Sequence, residues 1–317
     1  MLELERTQQQ ALRLEAGQML VERFITFAQV SGKSAETYLK ALRQMYKYFM
    51  LNNITQPTEE DLMEWKAWLQ EHEEEGQTVT HKPATIRLYV TAAKLFFSWL
   101  EKENLYRNIA RYVKNEKPDS EPKKDYLTTA QIRKLLASVD RSTLAGKRDY
   151  AIMVLAITGG LRTIEISRAN VEDLTIRGNN SVIYIQGKGC NTKNKFINVP
   201  EETETAIREY LQARGNNDIK MPMFSSISNN NSGGRMSTRA ISGMIKGYMK
   251  KAGFDSQRIT AHSLRHSSVT ISLLQGVDVT EVQQFARHRN VNTTMVYAHN
   301  IEAENNKCST RIAEAIF

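Results

Sequence analysis

Cysteine is nearly absent from this chain: 317 residues hold two, Cys190 and Cys308. They lie far apart and form no CxxC pair. That excludes a disulfide framework, argues against a zinc site and makes a reducing cytoplasm the expected compartment. No apolar run is long enough to span a bilayer, so no membrane partner is expected. No secretory leader is expected: the opening MLELERTQQQALRLEAGQ is polar, with leucines at helical spacing. Proline is scarce too, six in all, and two of them fall within KNEKPDSEPKKD, Lys114 to Asp125.

What is present is an ordinary globular composition, 41% hydrophobic and 25% charged. The length suits two domains. The net charge of +8 is unevenly spread: residues 1–120 sum to −1 and residues 121–317 to +9. A basic second part fits a polyanionic partner or a merely soluble surface, and composition does not separate the two.

The first part reads as a small helical bundle. Apolar residues at helical spacing predict helices over Gln18–Val30, Ser34–Leu51, Thr58–Glu74 and Pro83–Lys102. The third is strongly acidic, with Glu59, Glu60 and Asp61 in its first turn, where a helix dipole favours acids. The second carries Lys40, Arg43 and Lys47 on one face. The fourth carries Arg87 and Lys94 on one face, with Thr91 between them. Such stripes suit contact with a nucleic-acid backbone; taken alone they equally suit solvated helix faces.

The proline-bearing, charged segment 114–125 reads as a linker between a domain over 1–113 and one over 126–317. After it, LTTAQIRKLL opens a helix capped by Thr128 or Thr129. Helices are expected over Lys147–Thr158 and Arg162–Ala169. DLTIRG, SVIYIQGKG and KFINVP then read as strands of a small sheet. Helices resume over Glu201–Arg214, Ser237–Ala252, His262–Leu274, Thr280–Ala286 and around Asn300–Phe317. The Ser/Asn/Gly-rich loop Ser225 to Arg235 is expected to be mobile.

Four segments of the second part carry polar groups, none specific alone. TGGLRTIEI sets Arg162 after two glycines and Glu165 one turn later, which also describes a surface ion pair. IQGKGCNTKNKF places Lys188 between glycines at a strand end, where most lysines are idle. ITAHSLRHSSVT puts His262 and Arg265 on one helix face, and His266 four residues after His262. That is the spacing of a helical metal pair, but Ser263 stands where a metalloprotease needs Glu, and no metal is expected. QQFARHRNVNTTMVYAHN holds His288 and Tyr297.

Together these groups suit one reaction. A tyrosine attacking a phosphodiester needs its charge and its proton managed, since its pKa is near 10. Two arginines can clamp the non-bridging oxygens. A lysine can protonate the departing 5′-oxygen, and histidines can bond the phosphate or relay protons. Neither metal nor nucleotide is required, so no cofactor is expected.

The joint pattern TGGLRxxEI, hairpin Lys, HSLRH and His-(x8)-Tyr resembles the tyrosine recombinases of the phage-integrase and Xer type, and the resemblance covers most of the chain. It implies a mainly α fold: a helical core-binding domain and a mixed α/β catalytic domain with a small antiparallel sheet, clamping DNA. It implies Arg162, Lys188, His262, Arg265, His288 and Tyr297 as catalytic residues, Tyr297 as nucleophile, Lys188 as general acid and Glu165 as active-site support. His299 falls outside the pattern. The implied activity is site-specific recombination through a 3′-phosphotyrosine and a Holliday junction. That means integration or excision, or dimer resolution, by a homotetramer on two double-stranded sites with inverted-repeat cores, in a prokaryotic cytoplasm at the nucleoid.

A type IB topoisomerase-like nicking-closing enzyme and an inactive DNA-binding relative are the alternatives. The family commonly has Leu-Gly-His where this chain has Ala286-Arg287-His288, so the turn lacks its glycine and Arg287 is a candidate phosphate contact. The opening residues suggest helix rather than the stranded arm-binding domain of many integrases. STRIAEAIF is expected to form a short helix with Ile312, Ala315 and Ile316 on one side. It would either pack on its own domain or dock on a neighbouring protomer.

Overall fold

The computed structural model describes residues 19–30, 32–74, 76–116, 125–187, 189–215, 218–304 and 306–317. Lys188 and most of the expected linker lie outside them. The chain divides into two compact units, Met1–Ser120 and Glu121–Phe317.

In the first unit, α1 (19–28), α2 (Gly32–Leu51), α3 (Glu59–Gln70) and α4 (Pro83–Lys102) surround an aromatic-rich core. Phe24 meets Phe96 edge-on at 5.3 Å, and Trp65 and Leu42 are fully enclosed. Of α1's apolar residues, Phe24 is buried while Met19 and Phe27 stay exposed. α3 starts with a capping box between Thr58 and Asp61.

The helix expected to reach Glu74 stops at Gln70. Residues Glu71–Glu74 instead form β1, paired antiparallel with β2 (Gln77–Thr80), and Gly76 takes φ +76 in the turn. A positive φ suits glycine, and the Thr78-Val79-Thr80 run favours a strand. Lys47 is taken up by this hairpin through an ion pair with Glu74, whose carboxyl that hydrogen bond holds below its usual range. Lys40, Arg43 and Arg87 are exposed; Lys94 and Thr91 are partly so, and the Thr91 hydroxyl donates to Arg87 O at 2.8 Å.

The second unit is built around α6 (Leu144–Thr158), which is apolar on nearly every side and buried along its length. α5 (Thr129–Ala137), capped by Thr128, and α8 (Glu201–Arg214) pack on it. α7 (Thr163–Arg168) leads into the three-stranded antiparallel sheet β3 (Leu174–Arg177), β4 (Asn180–Ile185) and β5 (Lys195–Asn198), with β4 central. Val182, Ile183 and Ile185 of β4 are buried.

α9 (Thr238–Lys251), α10 (Ala261–Leu274) and α11 (Val279–Ala286) follow. The expected last helix is two: α12 (Asn292–Glu304), which starts well before Asn300, and α13 (Cys308–Ile316). No residue of α13 is buried, so of the two placements considered, packing on its own domain is not seen. The Ser225–Arg235 loop, expected to be mobile, is closed across its neck. Ser226 N donates to Gly234 O at 2.7 Å, and Arg235 donates to Ser167 O at 2.7 Å. Among the described residues no helix is long and apolar enough to cross a membrane.

Candidate active site

The site begins where α6 ends. Gly159 caps the helix and Gly160 follows at φ +54. A side chain at Gly160 would meet the Phe285 ring at 2.8 Å, and one at Gly159 would meet Ile197 at 2.5 Å. The paired glycines therefore serve close packing as well as the turn. They leave two carbonyls facing the interior, and arginines occupy them.

Arg162 caps α7, and Glu165 closes the cap. Glu165 accepts from Arg162 N at 2.8 Å and from Arg162 Nη1 at 3.0 Å. Glu165 is 1% exposed, while the Arg162 side chain keeps 29% of its surface, so the guanidinium can meet a ligand. Arg265, on α10, is buried and donates to Gly160 O and to Ala286 O. Burial, then the charges of Arg162 and Arg287, push it down to about 9, which leaves it charged at neutral pH.

Arg287 departs from its expected part. It stands in the left-handed region, φ 55 and ψ 42, as the cap of α11, the conformation a glycine would adopt without strain. The turn is made nonetheless. Its guanidinium turns inward, donating to Gly160 O at 2.8 Å and pairing with Glu165 at 3.2 Å. A cation spent on backbone carbonyls and Glu165 is a structural clip rather than the phosphate contact suggested by sequence. Three guanidiniums face one carboxylate here, and the surplus positive charge makes an anion site.

α12 brings Tyr297 against this cluster, packed on Val269, Val282 and Ala286. Burial raises its hydroxyl pKa, and Arg265 and Arg162 pull it back down. His288 is stacked on Tyr297 at 6.3 Å between ring centres, with Nδ1 2.9 Å from the buried Thr294 hydroxyl. Burial and the three arginines push His288 down to about 4, so it is neutral at neutral pH.

His262 is exposed at the start of α10 and lines a cavity of about 440 Å³ with Thr163, Arg239, Ser242, Lys246 and Thr260. The structure thus brings Arg162, Glu165, His262, Arg265, His288 and Tyr297 into one region from three distant segments. Lys188 is outside the described residues. Of its neighbours, Lys193 is committed to Asp173 at 2.5 Å. Among the described residues no cluster suits a metal ion.

Sequence reasoning missed His266, weighed only as a metal partner of His262. Its Nδ1 lies 2.7 Å from the Tyr297 hydroxyl. The signal was available: His266 follows Arg265 directly on α10, one step around the helix from the clamp.

The chain is similar to known proteins in sequence and in fold. A sequence profile described as the phage integrase family matches residues 125–304, and one described as the N-terminal SAM-like domain of phage integrases matches residues 20–107. Tyrosine recombinase XerA of Pyrococcus furiosus is 28% identical over 288 residues, covering 88% of each chain. Tyrosine recombinase XerD of Listeria monocytogenes is 26% identical, covering 88% of this chain and 93% of its own. Among solved structures, the XerH site-specific recombinase bound to palindromic difH substrate has a similar fold. Its TM-score is 0.68 at 22% identity, covering 85% of this chain and 78% of XerH. A lambda integrase dimer on a COC′ core site gives 0.65 at 14%, covering 87% and 96%.

Proposed function

The chain belongs to the phage integrase family, and we propose that its Tyr297 cleaves and rejoins DNA through a 3′-phosphotyrosine. It is a site-specific recombinase whose partner is double-stranded DNA. The observation that carries the assignment of Tyr297 is its place: its hydroxyl lies 2.7 Å from His266, the residue after Arg265 on α10, and its ring packs with Ala286, whose carbonyl Arg265 holds.

In the proposed reaction Arg162 and Arg265 bind the non-bridging oxygens of the scissile phosphate, where charge grows in the transition state. Glu165 holds Arg162 in place. His262 and His288 complete the phosphate contacts as hydrogen-bonding groups. Lys188 gives the leaving 5′-oxygen its proton. The bond energy stays in the phosphotyrosine, so strand joining draws on no nucleotide and the chemistry calls for no metal. The first domain, 1–113, carries DNA-backbone contacts at Lys40, Arg43, Arg87 and Lys94, with Lys47 and Thr91 beside them. A linker over 114–125 joins it to a catalytic domain over 126–317.

Two strand exchanges then pass through a Holliday junction in a homotetramer on two sites with inverted-repeat cores. The exposed apolar residues Ile312 and Ile316 of α13 support docking of that helix on a neighbouring protomer. Its work would be at the nucleoid of a prokaryotic cell.

The test is a covalent-adduct assay. Wild-type protein mixed with DNA bearing its target should yield a denaturant-resistant adduct at one 3′-phosphate. Tyr297→Phe should bind the same DNA and yield none. An adduct in that variant would remove Tyr297 as nucleophile.

A further inference from the structure

Resting on that assignment of Tyr297, we propose that His266 is the base that takes its proton, at Nδ1, when the hydroxyl attacks phosphorus. Three histidines surround the tyrosine, and they are placed differently. His288 stacks on the ring and directs Nδ1 to Thr294. His262 is set edge-on to His266, 4.8 Å between ring centres, and opens to solvent. His266 has its Nδ1 2.7 Å from the reacting oxygen, within hydrogen-bond reach of the proton it would accept. α10 supplies both Arg265 and His266, so one helix holds the phosphate clamp and the proton acceptor in fixed relation.

Accepting the phenolic proton requires a bare Nδ1, with the ring proton on Nε2. The step then balances. The Tyr297 O–H bond breaks and an N–H bond forms on His266. The Oη–P bond forms and the P–O5′ bond breaks. The departing O5′ takes its proton from a separate acid, the role given above to Lys188. In strand joining the incoming 5′-hydroxyl attacks phosphorus and returns its proton to that acid's conjugate base. The tyrosine oxygen leaves and recovers its own proton from His266.

The surroundings make this base conditional on DNA. Arg162, Arg265 and Arg287 bring positive charge, Glu165 offsets one of them, His288 adds none while neutral, and His262 faces the His266 ring edge-on. The negative phosphate, on entering the site, offsets that positive charge and so eases the arrival of a further proton. The tyrosine is kept protonated, and so inert, in the free protein.

The experiment compares wild type, His266→Ala and His266→Asn in single-turnover adduct formation. The substrate is a duplex whose site is mapped from the wild-type adducts. A second duplex carries sulfur in place of the bridging 5′-oxygen, a leaving group that needs no acid. Asparagine can keep a hydrogen bond near the Nδ1 position but cannot hold the proton. Both variants should cleave slower by about 10²–10³-fold on either duplex, with DNA affinity and melting temperature unchanged.

The wild-type rate should level off above the pKa of the base, while the His266→Asn rate keeps rising with pH. A His266→Asn rate within about threefold of wild type would reduce His266 to a positioning residue and overturn its role as base. Rescue by sulfur would overturn it too, by placing His266 on the leaving-group side. If the variants fail to fold, the wild-type profile still decides: a rate climbing steadily towards the tyrosine range, with no plateau, sinks the idea. Absence of any wild-type adduct would instead overturn the parent assignment, and this one with it.

Discussion

One helix in each unit buries a different kind of side chain. In the first, α4 encloses Ile86, Val90, Ala93, Phe96, Phe97 and Leu100 and keeps Arg87 outside. In the second, α10 buries Ser263, Arg265, Ser267, Ser268 and Thr270 beside Leu264 and Val269. Among those polar groups, Ser267 Oγ donates to Ser263 O at 2.8 Å and accepts from Leu127 N at 2.7 Å. Apolar burial is non-directional and forgives small changes of shape. Polar burial does not, because each lost partner leaves a desolvated group behind. Stability and chemistry are therefore separable in the first unit and fused in the second.

The sharpest way to break this contrast is to make one substitution in both units. Glu165→Gln leaves Arg287 buried without its carboxylate, and should cost about 3–5 kcal/mol in the denaturant-induced unfolding of the second unit. Glu101→Gln breaks an equally well-formed pair, with Arg111 at 2.8 Å, but an exposed one. It should leave unfolding of the first unit unchanged. Equal effects would end the distinction. Next in size, Arg265→Ala or Arg162→Ala should slow adduct formation by about 2–4 kcal/mol, the loss expected for one donor to a developing oxyanion. Wild-type rates in either variant would show that these arginines serve the fold alone.

The same contrast explains what the sequence could say. Helices with an apolar stripe were legible, α4 to the residue, because their burial follows a 3.6-residue period. The six candidate residues that the structure brings together were legible as a set, since phosphodiester attack by a phenol demands those side-chain types. Three things were not. The β1–β2 hairpin hid in EHEEEGQTVT because its first strand is acidic and continues a helical run. The inward turn of Arg287 depends on carbonyls of Gly159 and Gly160, more than a hundred positions away. The contact of His266 with Tyr297 likewise exists only once α10 and α12 meet, and no local pattern announces it.

The smallest effects belong to the first unit's surface, and they test whether its charge is as separable as its core suggests. Each exposed cation that touches a DNA phosphate releases counterions on binding, so its loss should lower the slope of log K against log salt by about 0.9. Lys40→Gln, Arg43→Gln and Arg87→Gln should each do this, measured as DNA affinity across a salt series, while melting stays at the wild-type value. Lys47→Gln makes the discriminating comparison. It lies on the same helix as Lys40 and Arg43, one turn beyond Arg43, but Glu74 of the hairpin already neutralises it. Its replacement should leave the slope unchanged, because a cation with a carboxylate partner recruits no phosphate. A full unit lost at Lys47 would mean that DNA displaces Glu74, and that the hairpin moves when the first unit binds.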